Sequence, residues 1–94
     1  MNGIRVDKWL WFARFCKTRS QAQRLVDEGL VTINGRLVEK STSVVPGDEI
    51  VLPVGPARET TAIRRLRVVA LGARRGPAAA ARALYEELGP ARAR

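Results

Sequence analysis

The residues best placed to do chemistry lie in the run Lys17-Thr18-Arg19-Ser20-Gln21-Ala22-Gln23-Arg24. Arginine makes planar, two-pronged contacts to phosphate that lysine cannot. Serine and glutamine add neutral hydrogen bonds to phosphate, sugar hydroxyl or base edge. If the run is helical, Arg19 and Ser20 occupy its first turn, where backbone N–H groups lack intrahelical partners and the helix dipole is positive. Such an end is suited to holding a phosphate. Gln23 and Arg24 follow at spacings that keep them on the same face, away from Ala22, Leu25 and Val26. Lys17 precedes the turn, Arg5 and Lys8 stand upstream, and Lys40 lies downstream. By spacing alone, the alternative is a basic face that only meets solvent.

These side chains need elements to hold them. Residues 4–16 read IRVDKWLWFARFC, and on a helical wheel Val6, Trp9, Leu10, Ala13 and Cys16 share one arc. The other side carries Arg5 and Lys8 beside Trp11, Phe12 and Phe15. Thr18 is placed to cap a second helix while Gln21 reaches back, and Gly29 is placed to end it in a left-handed conformation. The period then shortens to two. Asn34-Gly35, between Leu30-Val31-Thr32-Ile33 and Arg36-Leu37-Val38, predicts a hairpin, because both central residues of a type I′ turn need positive φ. Pro46-Gly47 predicts a type II turn, followed by a strand over Glu49-Ile50-Val51-Leu52. Residues 53–59 read as a connecting loop and Thr61 to Leu71 as a further strand. Gly72 to Gly76 turns the chain. Pro77 is placed to begin a helix at its first position, with Ala78 to Leu88 as its body, Gly89-Pro90 as its stop and a frayed basic tail beyond.

Composition narrows the function classes. The chain has 94 residues, enough for one small domain, with 17 Lys+Arg against 9 Asp+Glu, a net charge of +8. That balance suits a polyanionic partner. Residues 1–40 carry eight basic and four acidic side chains, residues 41–56 none and two, and residues 57–94 nine and three, so the bases form two blocks around an acidic middle. With no histidine and one cysteine, the sequence excludes an internal disulfide, a Cys/His zinc site and histidine acid–base chemistry. Cys16 reads as a small buried hydrophobe, and a lone thiol fits a reducing compartment. No apolar run approaches the roughly 18 residues needed to span a bilayer, and no signal-peptide pattern opens the sequence, so the expected location is the cytoplasm. The bases are not segregated along one amphipathic helix, which argues against a membrane surface. No nucleophile, base and orienting group assemble, and Glu86 and Glu87 are adjacent rather than facing. The expectation is a binding protein, not an enzyme, with no cofactor, metal or small-molecule substrate.

Five blocks in order carry a resemblance: Arg5-Val6-Asp7-Lys8-Trp9-Leu10, Lys17-Thr18-Arg19-Ser20-Gln21-Ala22, Leu25-Val26-Asp27-Glu28-Gly29-Leu30-Val31, Asn34-Gly35 and Pro46-Gly47-Asp48-Glu49-Ile50. Together they closely resemble the S-four RNA-binding domain, or αL motif, over residues 4–52. Asp7-Lys8-Trp9-Leu10-Trp11, Ala13-Arg14-Phe15 and Arg74-Arg75-Gly76-Pro77 through Leu84-Tyr85-Glu86-Glu87 further resemble the heat-shock protein 15 family of ribosome-associated bacterial proteins, with one extra glycine before the proline. The resemblance implies binding to structured ribosomal RNA. It also implies, as partners, the large ribosomal subunit still carrying a nascent chain on transfer RNA, and peptidyl-transfer RNA itself, in rescue of stalled ribosomes under stress. The family's RNA-facing motif falls on Arg5, Lys8, Lys17, Thr18, Arg19, Ser20, Gln23 and Arg24, and on Lys40. Family members often continue into a longer charged extension, whereas this sequence ends at Arg94. Arg64, Arg65, Arg67, Arg74 and Arg75 are the candidates for secondary contacts in its place.

The expected architecture is α+β: two N-terminal helices packed on a small, mostly antiparallel twisted sheet, with a C-terminal helix. Residues 4–52 form the RNA-binding unit, and residues 53–94 supply a strand, a basic turn and a helix on the same domain. Trp9 is expected in the core. Phe12 and Phe15 are expected between the hairpin and the C-terminal segment, and Trp11 is open between packing and base stacking. Two readings stay beside the main one. Two short helices with a tight turn suggest a DNA-binding helix-turn-helix, although a hairpin follows at once and no third helix completes the usual core. The S-four module also occurs attached to RNA-modifying enzymes, whose catalytic parts exceed the forty-odd residues left here.

Overall fold

A computed structural model describes residues 3–53 and 63–90. In chain order its elements are β1 (Ile4–Arg5), α1 (Val6–Phe12), α2 (Arg19–Asp27), β2 (Thr32–Ile33), β3 (Arg36–Leu37), β4 (Ser43–Val44), β5 (Glu49–Pro53), β6 (Ile63–Val68), α3 (Ala78–Arg82) and β7 (Tyr85–Pro90). The main sheet runs β3-β2-β5-β6-β7 with every neighbouring pair antiparallel, and β1 pairs with β4 as a separate ribbon. This is the expected α+β arrangement of two N-terminal helices, an antiparallel sheet and a later helix.

The apolar arc of the first segment is the centre of the core. Val6, Trp9, Leu10, Ala13 and Cys16 are all buried, against Ala22 and Val26 of α2. The sheet supplies Ile33, Ile50, Leu52, Leu66 and Val68 to the same cluster. Ile33, Ile50 and Leu66 lie in register across three strands, so strand alternation puts them on one face. The indole N–H of Trp9 donates to the Ala70 carbonyl at 2.9 Å, so its one polar atom is satisfied inside. Phe12 is also buried, with its ring against Gly72, and Phe15 packs on Tyr85 with ring centroids 4.8 Å apart, so both meet the C-terminal segment, one side of the expected sandwich.

The turns follow their residues. Asn34 (φ 53°) and Gly35 (φ 84°) form the hairpin turn between Ile33 and Arg36, and Gly47 (φ 100°) takes the left-handed position after Pro46. Two expectations need correction. The first helix is shorter than residues 4–16. It closes at Phe12, Arg14 adopts φ 65°, and the amides of Arg14 and Phe15 bond back to the carbonyls of Trp11 and Leu10. That is the left-handed helix stop usually made by glycine, here on an arginine at a cost of about 1–2 kcal/mol. The Arg14 Nε–H donates to the Gly76 carbonyl at 2.7 Å and holds the bend. Arg5, expected on this helix, lies instead in β1 as the residue that caps it.

The second correction concerns the C-terminus. Pro77 is the cap rather than the first helical residue, α3 stops at Arg82, and Tyr85–Pro90 is a strand. The helix-forming composition of residues 78–88 loses beyond Arg82 because β6 offers a paired edge: Val68, Arg67 and Leu66 face Tyr85, Glu86 and Glu87. Arg67 then pairs with Glu86, and Arg64 with Glu87. Propensity is a weak prior against such tertiary contacts. Gly89 and Pro90 therefore belong to the last strand and do not stop a helix. The expected strand over Thr61 to Leu71 is seen at Ile63–Val68. The loop expected at residues 53–59 lies, after Pro53, outside the described residues, as does the basic tail.

Candidate nucleic-acid interface

Helix α2 begins as its sequence requires. The Thr18 hydroxyl accepts the Gln21 amide at 3.0 Å, and the Gln21 side chain accepts the Lys17 amide at 2.8 Å, one residue before the position a capping box uses. The Ala22 amide bonds to the Thr18 carbonyl. In this geometry the amides of Arg19 and Ser20 have no intrahelical acceptor. At the other end Gly29 (φ 75°) closes the helix, with the amides of Gly29 and Leu30 returning to Val26 and Leu25.

The organising residue is one that the sequence reading left out of the site. Asp7, in the first turn of α1, is completely buried. Its Oδ1 accepts from Arg5 Nε at 3.2 Å and Arg19 Nη2 at 3.4 Å, and its Oδ2 from Arg5 Nη2 at 3.0 Å and Gln23 Nε2 at 3.0 Å. A carboxylate has about four acceptor positions, and all four are used. Three expected RNA-facing residues from two elements thus meet on one anion. Arg5 and Arg19 nevertheless keep 44% and 39% of their side chains exposed. Two guanidinium groups against one carboxylate leave a net positive charge at the surface. The signal available in the sequence was an acidic residue at the start of a helix inside an otherwise basic and apolar block.

Burial pushes the Asp7 carboxyl upward, but the hydrogen bonds from Arg5 and Gln23 and the charges of Arg5 and Arg19 outweigh it and hold the group below the usual carboxylate range. A lowered folded-state value means the folded chain binds this proton less readily than the unfolded one. The stabilisation is therefore complete above the unfolded value, about 3.9, and is lost as pH falls through the folded one. Thermal melts between about pH 2 and 6 should show this loss, and the Asp7→Asn variant should lack that part of the slope.

The other expected residues divide. Lys17, Thr18 and Ser20 are exposed around the start of α2, and Arg24 is exposed in its last turn. Lys40 sits 3.8 Å from Asp27 across an open groove that Arg5, Val26 and Val38 also line. Lys8 turns away from the cluster, with its ammonium 5.6 Å from the centre of the Phe12 ring. Most of the secondary arginines have local partners of their own. Arg64 pairs with Glu87 and lies over the Phe15 ring, and Arg65 pairs with Glu49 at 3.5 Å. Arg75 donates to the carbonyls of Trp11 at 3.1 Å and Cys16 at 3.4 Å and covers the Trp11 ring, so it fastens the end of α1. Arg74 is exposed. Burial pushes the Cys16 thiol up to about 11, so at neutral pH it is no nucleophile. No helix among the described residues is long and apolar enough to cross a membrane.

Known proteins are similar to this chain in sequence and in fold. Residues 4–50 match the family model of the S4 domain. Over 84 residues the chain is 37% identical to heat shock protein 15 of Escherichia coli (strain K12), an alignment covering 89% of this chain and 59% of that protein. It is 36% identical over 63 residues to the RQC P-site tRNA stabilizing factor of Listeria innocua serovar 6a, covering 67% of this chain and 68% of the other. The solved trimeric structure of Vibrio cholerae heat shock protein 15 matches with a TM-score of 0.80 at 37% identity, over 92% of this chain and 82% of that one. The chain thus spans under two thirds of the length of the heat shock protein 15 relatives in sequence. With paired helices, hairpin and Pro-Gly turn in place across the matched residues, the chain belongs to the S4 domain family.

Proposed function

We propose that this protein binds structured RNA on the ribosome through the ridge around the start of α2, and that it works by binding rather than catalysis. The observation that carries the reading is the convergence of Arg5, Arg19 and Gln23 on buried Asp7, beside exposed Lys17, Ser20 and Arg24. Arginines and lysines neutralise phosphates, the free amides of the first turn of α2 hold one of them, and Ser20 and Gln23 fix the register. Thr18 and Lys40 flank this ridge, Lys8 stands apart from it over the Phe12 ring, and exposed Arg74 is the secondary contact best placed to reach RNA. Residues 4–52 are the RNA-binding unit, and Leu66 and Val68 of β6 complete its core. A rigid surface of this kind suits A-form shape and bulges more than a linear sequence.

We further infer that the partner is the large ribosomal subunit with a stalled nascent chain on transfer RNA, and with it a cytoplasmic location; the name of one relative, a P-site tRNA stabilizing factor, supports the transfer-RNA part of this reading. The carboxylates of Glu86 and Glu87 are tied to Arg67 and Arg64, which supports a role without catalysis. The test is binding to large-subunit ribosomal RNA across a salt series, with duplex DNA as competitor. Affinity should fall by about 0.7–0.9 log units per log unit of salt for each phosphate neutralised. Duplex DNA at equal phosphate concentration should compete poorly. A flat salt dependence would point to a protein partner, and equal competition by DNA would remove the RNA reading.

A further inference from the structure

The charge at Asp7 has the wrong sign for an RNA surface, yet it sits at the centre of this one. Its charge offsets one of the two guanidinium groups paired with it, so the cluster still meets an approaching polyanion with a net positive charge. The four hydrogen bonds of Asp7 restrict where the cations point. Arg5 is held by two donors of one guanidinium edge, which fixes the plane of that group and leaves its Nη1 outside the pairing. Arg19 reaches the same carboxylate from the first helical residue of α2, and Gln23 from one turn further on. Arginine side chains otherwise carry substantial rotamer entropy, which each would lose on gripping a ligand. Here that loss occurs on folding. The charges also close: one phosphodiester added to two guanidinium groups and one carboxylate gives a neutral set.

We propose that Asp7 is the positioning residue of the RNA site, holding Arg5 and Arg19 side by side so that both grip a single phosphodiester. This inference rests on the RNA reading above and adds to it which cations act together and what aligns them. Gln23 serves the alignment from the second helix and needs no RNA contact to matter.

The experiment compares two substitutions that each remove one negative charge. Glu28 is exposed at the end of α2, outside the cluster. Glu28→Gln should leave affinity for large-subunit ribosomal RNA unchanged or slightly tighter, as added positive charge does. Asp7→Asn, at the same net charge, should weaken it by roughly tenfold, the worth of one misaligned charged hydrogen bond. Circular dichroism verifies folding before each titration. A folded Asp7→Asn variant that binds as tightly as Glu28→Gln would overturn the proposal and reduce Asp7 to a structural role. If Asp7→Asn does not fold, Arg5→Gln, Arg19→Gln and the double variant decide. Shared grip makes the double loss smaller than the product of the single losses, whereas a product within about twofold means independent cations and ends the proposal. If neither single arginine variant weakens binding, the RNA reading itself has failed.

Discussion

Replacing Trp9 with alanine is expected to remove about 3–5 kcal/mol of stability, the range for deleting a fully buried indole. For a domain of this size that is much of the total, since small domains sit near the lower end of about 5–15 kcal/mol. Trp9 is completely buried among Val6, Leu10 and the strand residues of the core, and it is tied to Ala70 through its N–H. A melting-temperature loss of at least about 12 °C should follow, at roughly 4–8 °C per kcal/mol for a chain this short. Trp9→Phe separates the two contributions. It keeps most of the apolar contact but strands the Ala70 carbonyl, for a loss of about 1–3 kcal/mol. A shift of only a few degrees in Trp9→Ala would mean that the helix pair does not depend on this anchor.

The second large effect is on binding. Arg19→Ala and Arg24→Ala should each weaken affinity for ribosomal RNA by roughly 1–3 kcal/mol, the range for a hydrogen bond to a charged group. Arg24 is exposed and outside the Asp7 cluster, so its removal should leave the melting temperature nearly unchanged. Arg19 also touches Asp7, so its removal should lower both affinity and stability. Titrations paired with melts separate these outcomes. Unchanged affinity in both variants would mean that the RNA face lies elsewhere on the molecule.

Most of the fold was legible because its signals are local. Asn34-Gly35, Gly47 and Gly29 each mark a conformation that few other residues accept, and each appears where its sequence position requires. The arc of Val6, Trp9, Leu10, Ala13 and Cys16 is buried as a set, even though the helix ends before Cys16. What was not legible depends on partners distant in the chain. Alanine-rich residues 78–88 have the composition of a helix, and only the facing edge of β6 turns the final part into a strand. Arg14 can stop α1 in a glycine-like conformation because Gly76 accepts its side chain, which no window around residue 14 reveals.

The candidate site was legible in its chemistry and less so in its grouping. Arg5, Arg19 and Gln23 were expected near one another, and they are. The sequence could not show that a buried acid gathers them, because Asp7 is charged and charged side chains seldom lie fully inside. Nor could it show that Arg64, Arg65 and Arg75 are occupied elsewhere, since their partners Glu87, Glu49 and the Trp11 carbonyl are brought to them by sheet pairing and loop closure.

The bond between Trp9 and Ala70 spans 61 residues, and that from Arg75 to Trp11 spans 64. The groups that cover the aromatic side of the helices carrying the basic ridge thus lie far along the sequence from them. Without those groups the helical segment exposes Trp9 and Phe12, sticky and unfinished, until the chain closes over it. Burial of this segment therefore carries the entropic cost of closing long loops and is not settled by its neighbours in sequence alone.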